Sequence, residues 1–241
     1  VTPASLRMYI PASLPVVRGI YIWGNGGVGD SRSHATDPEM VAVADMLGFA
    51  VVGTSGIALT YTNPVGDVAG IEAALASIAA ASGHPELVRA PLLPIGHSNG
   101  GVLSYDLNAA LPERVLATEL SKAGNGEPLP APAALRTPGI LIAGEIDTPD
   151  RIAAIRARFF DNRPRGALWA WVEEEGTDHT QVNGPEIAFP FAEMVARMRY
   201  PAGASPVNGP VPLLALNEAD GLLTDPDSYK TGLADIAQYA S

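Results

Sequence analysis

Apolar residues along this chain fall into two alternating textures: short, nearly continuous runs and longer stretches with helical spacing. The short runs are Leu6–Ile10, Arg18–Trp23, Phe49–Gly53, Leu92–Gly96, Val115–Leu120, Gly139–Ala143 and Ala167–Val172. Several carry almost no polar residue, as strands covered on both faces require. The helical stretches between them have start and stop signals. Asp37-Pro38 puts a capping side chain before a proline at the first helical position, and Gly48 follows the apolar positions Met40, Val41, Val43, Ala44 and Leu47. Asp67 is set to cap a second helix, Val68 to Ala81, which Gly83 ends. A third runs from Asn99 to Leu111, a fourth from Asp150 to Phe160, and a fifth from Pro185 to Met198, where Pro190 is expected to kink or break it. Strands alternating with helices predict an α/β fold built on a mostly parallel sheet. Beyond Tyr200 the texture changes. Pro201–Pro212 reads as an extended connector, and Asp225–Ala240 has the spacing of a short terminal helix.

Composition narrows the class. The 241 residues suit one large domain, and 47% hydrophobic against 17% charged residues excludes general disorder. Without cysteine there is no disulfide framework, no thiol nucleophile and no thiolate zinc site. Acidic residues outnumber basic ones 26 to 15, for a net charge of −11, and no Lys/Arg run could track phosphates, so nucleic acid is not an expected partner. No apolar stretch reaches the length of about 18 residues needed to span a membrane. The chain begins at Val1 with no visible leader pattern. A mature secreted or periplasmic protein is the expectation, with a cytoplasmic location as the alternative.

The chemistry concentrates in Gly96-His97-Ser98-Asn99-Gly100-Gly101, between a predicted strand and a predicted helix. G-x-S-x-G at such a junction forms a sharp turn that lifts the serine hydroxyl into the open and aims the next helix's N-terminus at it. The N–H of Asn99 would then face an oxyanion developing at Ser98. A serine nucleophile needs a base, and the base needs an orienting acid. Of the four histidines, His97 lies inside the turn and would point away from the serine. His34 and His84 read as surface histidines. His179 follows the last strand and is the expected base. The acid should lie between serine and histidine; Asp147, shortly after Gly139–Ala143, is the choice, with Asp150 (better suited to cap the next helix) and then Glu145 behind it. A second oxyanion donor is expected from the loop after Trp23, at Asn25 or Gly26, where a glycine-rich backbone can approach a substrate closely. Gly24, Gly26 and Gly29 also match G-x-G-x-x-G, a dinucleotide-binding pattern. Against it, Phe49–Gly53 is followed by Thr54-Ser55 with no acidic residue for a ribose, and Asp30–Asp37 is ill suited to starting a helix.

On these residues the chain resembles the α/β-hydrolase family over roughly residues 6 to 199: glycine-rich loop, elbow, Asp147, then His179, in that order. Its size and texture are most similar to small carboxylesterases of the dienelactone-hydrolase, feruloyl-esterase and polyester-depolymerase kind. Two departures stand out. Trp23 occupies the position of a histidine common in relatives, and dienelactone hydrolases proper use a cysteine that this chain lacks. The resemblance implies an α/β-hydrolase fold, with residues 1–200 as the catalytic domain and 201–241 as an extension packed on it. Ser121–Pro138 is too short for a lid domain, so an open site is expected. The implied activity is serine carboxylic ester hydrolysis on a small-molecule or polymeric ester, with no cofactor and no metal. A peptidase or amidase with the same triad, a nicotinamide-dependent reductase and a non-catalytic binding protein are the alternatives. Trp23, Ile57 and Tyr61 are candidates to line the substrate pocket, and Lys122 is read as a solvated lysine near its mouth.

Overall fold

A computed structural model of the chain describes residues 5–24, 26–27, 29–55, 64–124, 131–181 and 184–216. The strands are β1 (Ser5–Tyr9), β2 (Gly19–Gly24), β3 (Phe49–Ser55), β4 (Leu92–Gly96), β5 (Thr118–Ser121), β6 (Gly139–Gly144) and β7 (Trp169–Glu174). The helices are α1 (Pro38–Leu47), α2 (Pro64–Ser82), α3 (Asn99–Ala110), the single turn α4 (Pro132–Leu135), α5 (Pro149–Asn162) and α6 (Gly184–Arg199). The sheet runs β1-β3-β2-β4 and continues, through bridges Leu92 to Val115 and His97 to Ser121, into β5-β6-β7. Among the described residues β1 pairs antiparallel with β3, and the other four ladders are parallel.

Alternation along the strands separates two apolar layers. Ile20, Ile22, Ala50, Val52, Leu141 and Ala143 face one side, against α2, α3 and α5 residues such as Ile71, Leu75, Leu103 and Ile155. Tyr21, Val51, Leu93, Ile140 and Ile142 face the other, against Met40 and Leu47 of α1 and Phe191 and Val195 of α6. Burial on both faces explains why β2, β3, β4 and β6 read as nearly unbroken apolar runs. The parallel strands all end on the same edge of the sheet, and the elbow, acid and base loops leave from that edge.

Several local expectations are corrected. β5 starts at Thr118 rather than Val115, because one residue more separates Val115 from Ser121 than separates Leu92 from His97. The ladder therefore carries a bulge. The second helix begins at Pro64, a residue well suited to a first helical turn, so Asp67 lies within the helix rather than before it. Helix α6 continues through Pro190 without a break. Pro190 and Glu186 are exposed, so the carbonyl that the proline leaves without a partner faces water. Asp37 caps α1 by accepting from the N–H groups of Glu39 and Met40, and Gly48 ends it at φ 71°. Beyond Tyr200, Arg199 and Leu214 exchange hydrogen bonds, Arg89 donates to the carbonyls of Pro206 and Val207, and Val211 is buried in the α1/α6 layer. Asp225–Ala240 lies outside the described residues.

Candidate active site

The elbow is made by three glycines in mutual contact. A Cβ on Gly100 would stand 1.9 Å from the Gly24 carbonyl oxygen, and one on Gly96 would stand 2.4 Å from the Gly100 carbonyl carbon. Only bare backbone lets β2, β4 and the start of α3 converge so closely. At the apex Ser98 takes φ 54°, ψ −121°, a conformation that side chains rarely adopt. Its N–H is held by the Ser121 carbonyl at 2.8 Å, at the end of β5.

The structure brings Ser98, His179 and Asp147 together. His179 Nε2 lies 3.1 Å from Ser98 Oγ. His179 Nδ1 lies 3.4 Å from Asp147 Oδ2, and neither atom has a hydrogen-bond partner among the described residues. The other carboxylate oxygen, Asp147 Oδ1, accepts from the Thr148 N–H at 2.6 Å and pairs with Arg151, one turn along α5. The acid loop and the base loop are stitched together. Glu145 N–H donates to the Glu174 carbonyl at 3.0 Å, Ile146 N–H to the Thr177 carbonyl at 3.0 Å, and Gly176 N–H to the Glu145 carboxylate at 2.8 Å. Glu145 is thereby occupied away from His179. Asp150 is exposed at the second position of α5, where Thr148 is the cap residue, so its expected capping role does not hold.

Gly26 lies against the elbow: a Cβ there would sit 3.2 Å from Ser98 Cβ. Asn99 ties the same loop down by donating from its side chain to the Gly27 carbonyl at 3.2 Å. Asn25, Ile57 and Tyr61 lie outside the described residues. The glycine loop is followed by a short 3-10 turn at Arg32–Thr36, not by the α-helix that a dinucleotide site starts at its glycines. Asp30 bridges back to Ser55, and α1 begins only at Pro38. Trp23 is 7% exposed, stacks on His34 and meets Phe189 edge-on, so its ring belongs to the α1/α6 layer. A cavity of about 270 Å³ opens beside Ser98, walled by Val102, Ala123, Gly124, Thr148, Arg151 and Ala154 among others. No group of His, Asp or Glu side chains suited to a metal occurs among the described residues.

Two side chains acquire roles that their local sequence did not suggest. Lys122, expected to be solvated, is 1% exposed. Its ammonium pairs with Glu174 at 2.9 Å and donates to Thr177 Oγ1 at 3.2 Å and to the Gln181 carbonyl. His97 turns from Ser98 as expected, but its Nε2–H donates to the His179 carbonyl at 2.6 Å, and the two rings lie 4.7 Å apart. Burial lowers the His97 pKa to about 4, so the imidazole is neutral at ordinary pH. Deeper in the sheet, burial first and the nearby Glu174 second push the Glu119 carboxyl up to about 8.

No protein-family model matches the chain, and no curated protein matches it. Solved structures do. A carboxylesterase from Bacillus cereus superposes with a TM-score of 0.58 at 13% identity, covering 80% of this chain and 95% of the other. A dienelactone hydrolase from Anabaena variabilis gives 0.50 at 18% identity, covering 79% and 89%. LpqC, a poly(3-hydroxybutyrate) depolymerase from Bordetella parapertussis, gives 0.53 at 16% identity, covering 81% and 83%. The chain has the α/β-hydrolase fold. At these identities the likeness extends to the fold and no further.

Proposed function

We propose that the protein is a serine hydrolase that cleaves carboxylic esters through an acyl-enzyme. The observation that carries this reading is the line from Ser98 Oγ through the His179 imidazole to Asp147, with separations of 3.1 Å and 3.4 Å. Ser98 Oγ attacks the ester carbonyl carbon while His179 Nε2 takes its proton. Asp147 holds the proton of His179 on Nδ1 and offsets the imidazolium charge. The tetrahedral oxyanion is met by the backbone N–H of Asn99 at the start of α3 and by a donor from the loop at Asn25 or Gly26. Collapse of that intermediate passes the Nε2 proton to the leaving alcohol. Water, deprotonated by the same histidine, then releases the acid. Two of the solved structures alike in fold are named as a carboxylesterase and a poly(3-hydroxybutyrate) depolymerase, which favours esters, small or polymeric, as the substrate class.

The test is labelling by a fluorophosphonate together with hydrolysis of p-nitrophenyl acetate. Wild type should label at Ser98 and turn over the ester; Ser98→Ala should do neither while keeping its melting temperature. A variant retaining more than about a tenth of wild-type turnover removes Ser98 as nucleophile. Faster cleavage of a matched p-nitroanilide than of the ester would move the assignment to an amidase.

A further inference from the structure

We infer that Lys122 is a positioning residue: from the end of β5 it clamps both flanks of the His179 loop and holds the base in register with the nucleophile. The inference rests on the serine-hydrolase reading for its catalytic consequence, though the clamp itself is a matter of geometry.

A lysine ammonium has three N–H donors and no acceptor. Each donor here has its own acceptor: the Glu174 carboxylate, the Thr177 hydroxyl and the Gln181 carbonyl. Thr177 and Gln181 stand on either side of His179, so one buried cation grips the base loop before and after the catalytic imidazole. Thr177 Oγ1 in turn donates towards Glu174, whose Oε2 lies 3.2 Å away, which closes the cluster. His97 supplies a third hold by donating to the His179 carbonyl itself.

The other end of the clamp is equally fixed. Lys122 N–H donates to the Ile142 carbonyl of β6 at 2.7 Å, and the residue before it, Ser121, accepts from Ser98 N–H at 2.8 Å. One dipeptide at the end of β5 thus anchors the nucleophile through its backbone and the base through its side chain. Lys122 takes φ 51°, one of two non-glycine residues with positive φ among those described, the other being Ser98. The chemistry also explains the residue type. Lys122 and Lys230 are the only lysines in a chain that otherwise uses arginine. A compact ammonium reaches three separately directed acceptors, whereas a planar guanidinium favours paired, coplanar ones.

Removing the lysine alone would leave Glu174 buried and uncompensated, which destabilises for reasons unrelated to catalysis. The informative variant is therefore Lys122→Met with Glu174→Gln, which removes both charges at similar volume. Two measurements on purified protein follow: amide hydrogen exchange of residues 177–181 and steady-state hydrolysis of p-nitrophenyl acetate. We expect exchange in that segment to accelerate at least about tenfold while the core strands keep their protection. We expect kcat to fall about 10- to 100-fold with KM changed less than about twofold, because a base displaced by an ångström fails in the transition state rather than in binding. Unchanged exchange at 177–181 overturns the clamp whether or not Ser98 proves to be a nucleophile. Accelerated exchange with wild-type kcat overturns the positioning role. If wild type itself is not labelled by fluorophosphonate, the hydrolase reading falls, and the exchange measurement still decides whether Lys122 holds the loop.

Discussion

Replacing Asp147 with Asn tests the acid through a tautomer. The wild-type carboxylate divides its work: Oδ1 accepts from the Thr148 N–H and pairs with Arg151, while Oδ2 faces His179 Nδ1 at 3.4 Å. An asparagine has one acceptor and one donor to assign to those two positions. Thr148 and Arg151 both donate, so the amide oxygen takes the Oδ1 position and the NH2 group points at His179. A donor there makes Nδ1 the acceptor, which moves the ring proton to Nε2. That proton then points at Ser98 Oγ, 3.1 Å away, and the base is lost. The expected cost in kcat is about 10⁴-fold, near 5 kcal/mol of barrier. Stability should change far less, because the Thr148 contact survives and only a part-exposed ion pair is weakened. With Arg151 32% exposed, that loss is about 1 kcal/mol, or about 2–4 °C in melting temperature. The control is Asp150→Ala, three residues on, where an exposed carboxylate at the helix start contributes only about 0.3–1 kcal/mol and no catalysis. The assay is p-nitrophenyl acetate turnover with a parallel thermal melt. Turnover of Asp147→Asn within about tenfold of wild type, or an inactive but folded Asp150→Ala, would refute the reasoning.

Gly100→Ala drives a Cβ to within 1.9 Å of the Gly24 carbonyl oxygen, so it should cost about 3 kcal/mol or more, whereas Gly70→Ala, with open space around it on α2, should stabilise by up to about 1 kcal/mol; thermal melts decide both. Glu119, raised to about 8 by burial, keeps its proton in the folded chain after the unfolded chain has lost it, so its stabilisation is complete below 4.5 and disappears as pH rises through 8. Glu119→Gln should therefore flatten the fall in stability between pH 4.5 and 8, and an unchanged profile would show that Glu119 does not titrate there. His97 has the opposite sign: lowered from 6.5 to about 4, it is protonated first in the unfolded chain, so its stabilisation is complete above 6.5 and is lost as pH falls towards 4. The shift corresponds to about 3 kcal/mol, which screening at a part-exposed imidazole reduces to about 1–2 kcal/mol. Between pH 6.5 and 4, denaturant titrations should show wild type losing about 1–2 kcal/mol more stability than His97→Gln, and equal losses would refute the assignment.

What the sequence determined by itself was whatever short-range pattern encodes. Each of the seven apolar runs overlaps a strand among the described residues, and the most continuous runs, β2, β3, β4 and β6, are the strands buried on both faces. The Asp37-Pro38 start and the Gly48 stop of α1 were readable because capping is settled within a few residues. The elbow was readable for a related reason: glycines two residues either side of Ser98 are a local demand, although the partner imposing it, Gly24, comes from a distant strand. Which side chains would meet was decided only in three dimensions. The offset between β4 and β5 shortens the fifth strand to Thr118–Ser121 and sets Lys122 at its end, turned through a positive φ into the sheet edge. Sequence alone read that lysine as solvated, because nothing within several residues of Lys122 reveals Glu174, Thr177 or Gln181. Trp23 went into the α1/α6 layer because strand alternation put it on the face of Tyr21, a choice that depends on register against the helices. A buried charge is legible only when its partner is known, and partners more than fifty residues apart meet only once the sheet is assembled.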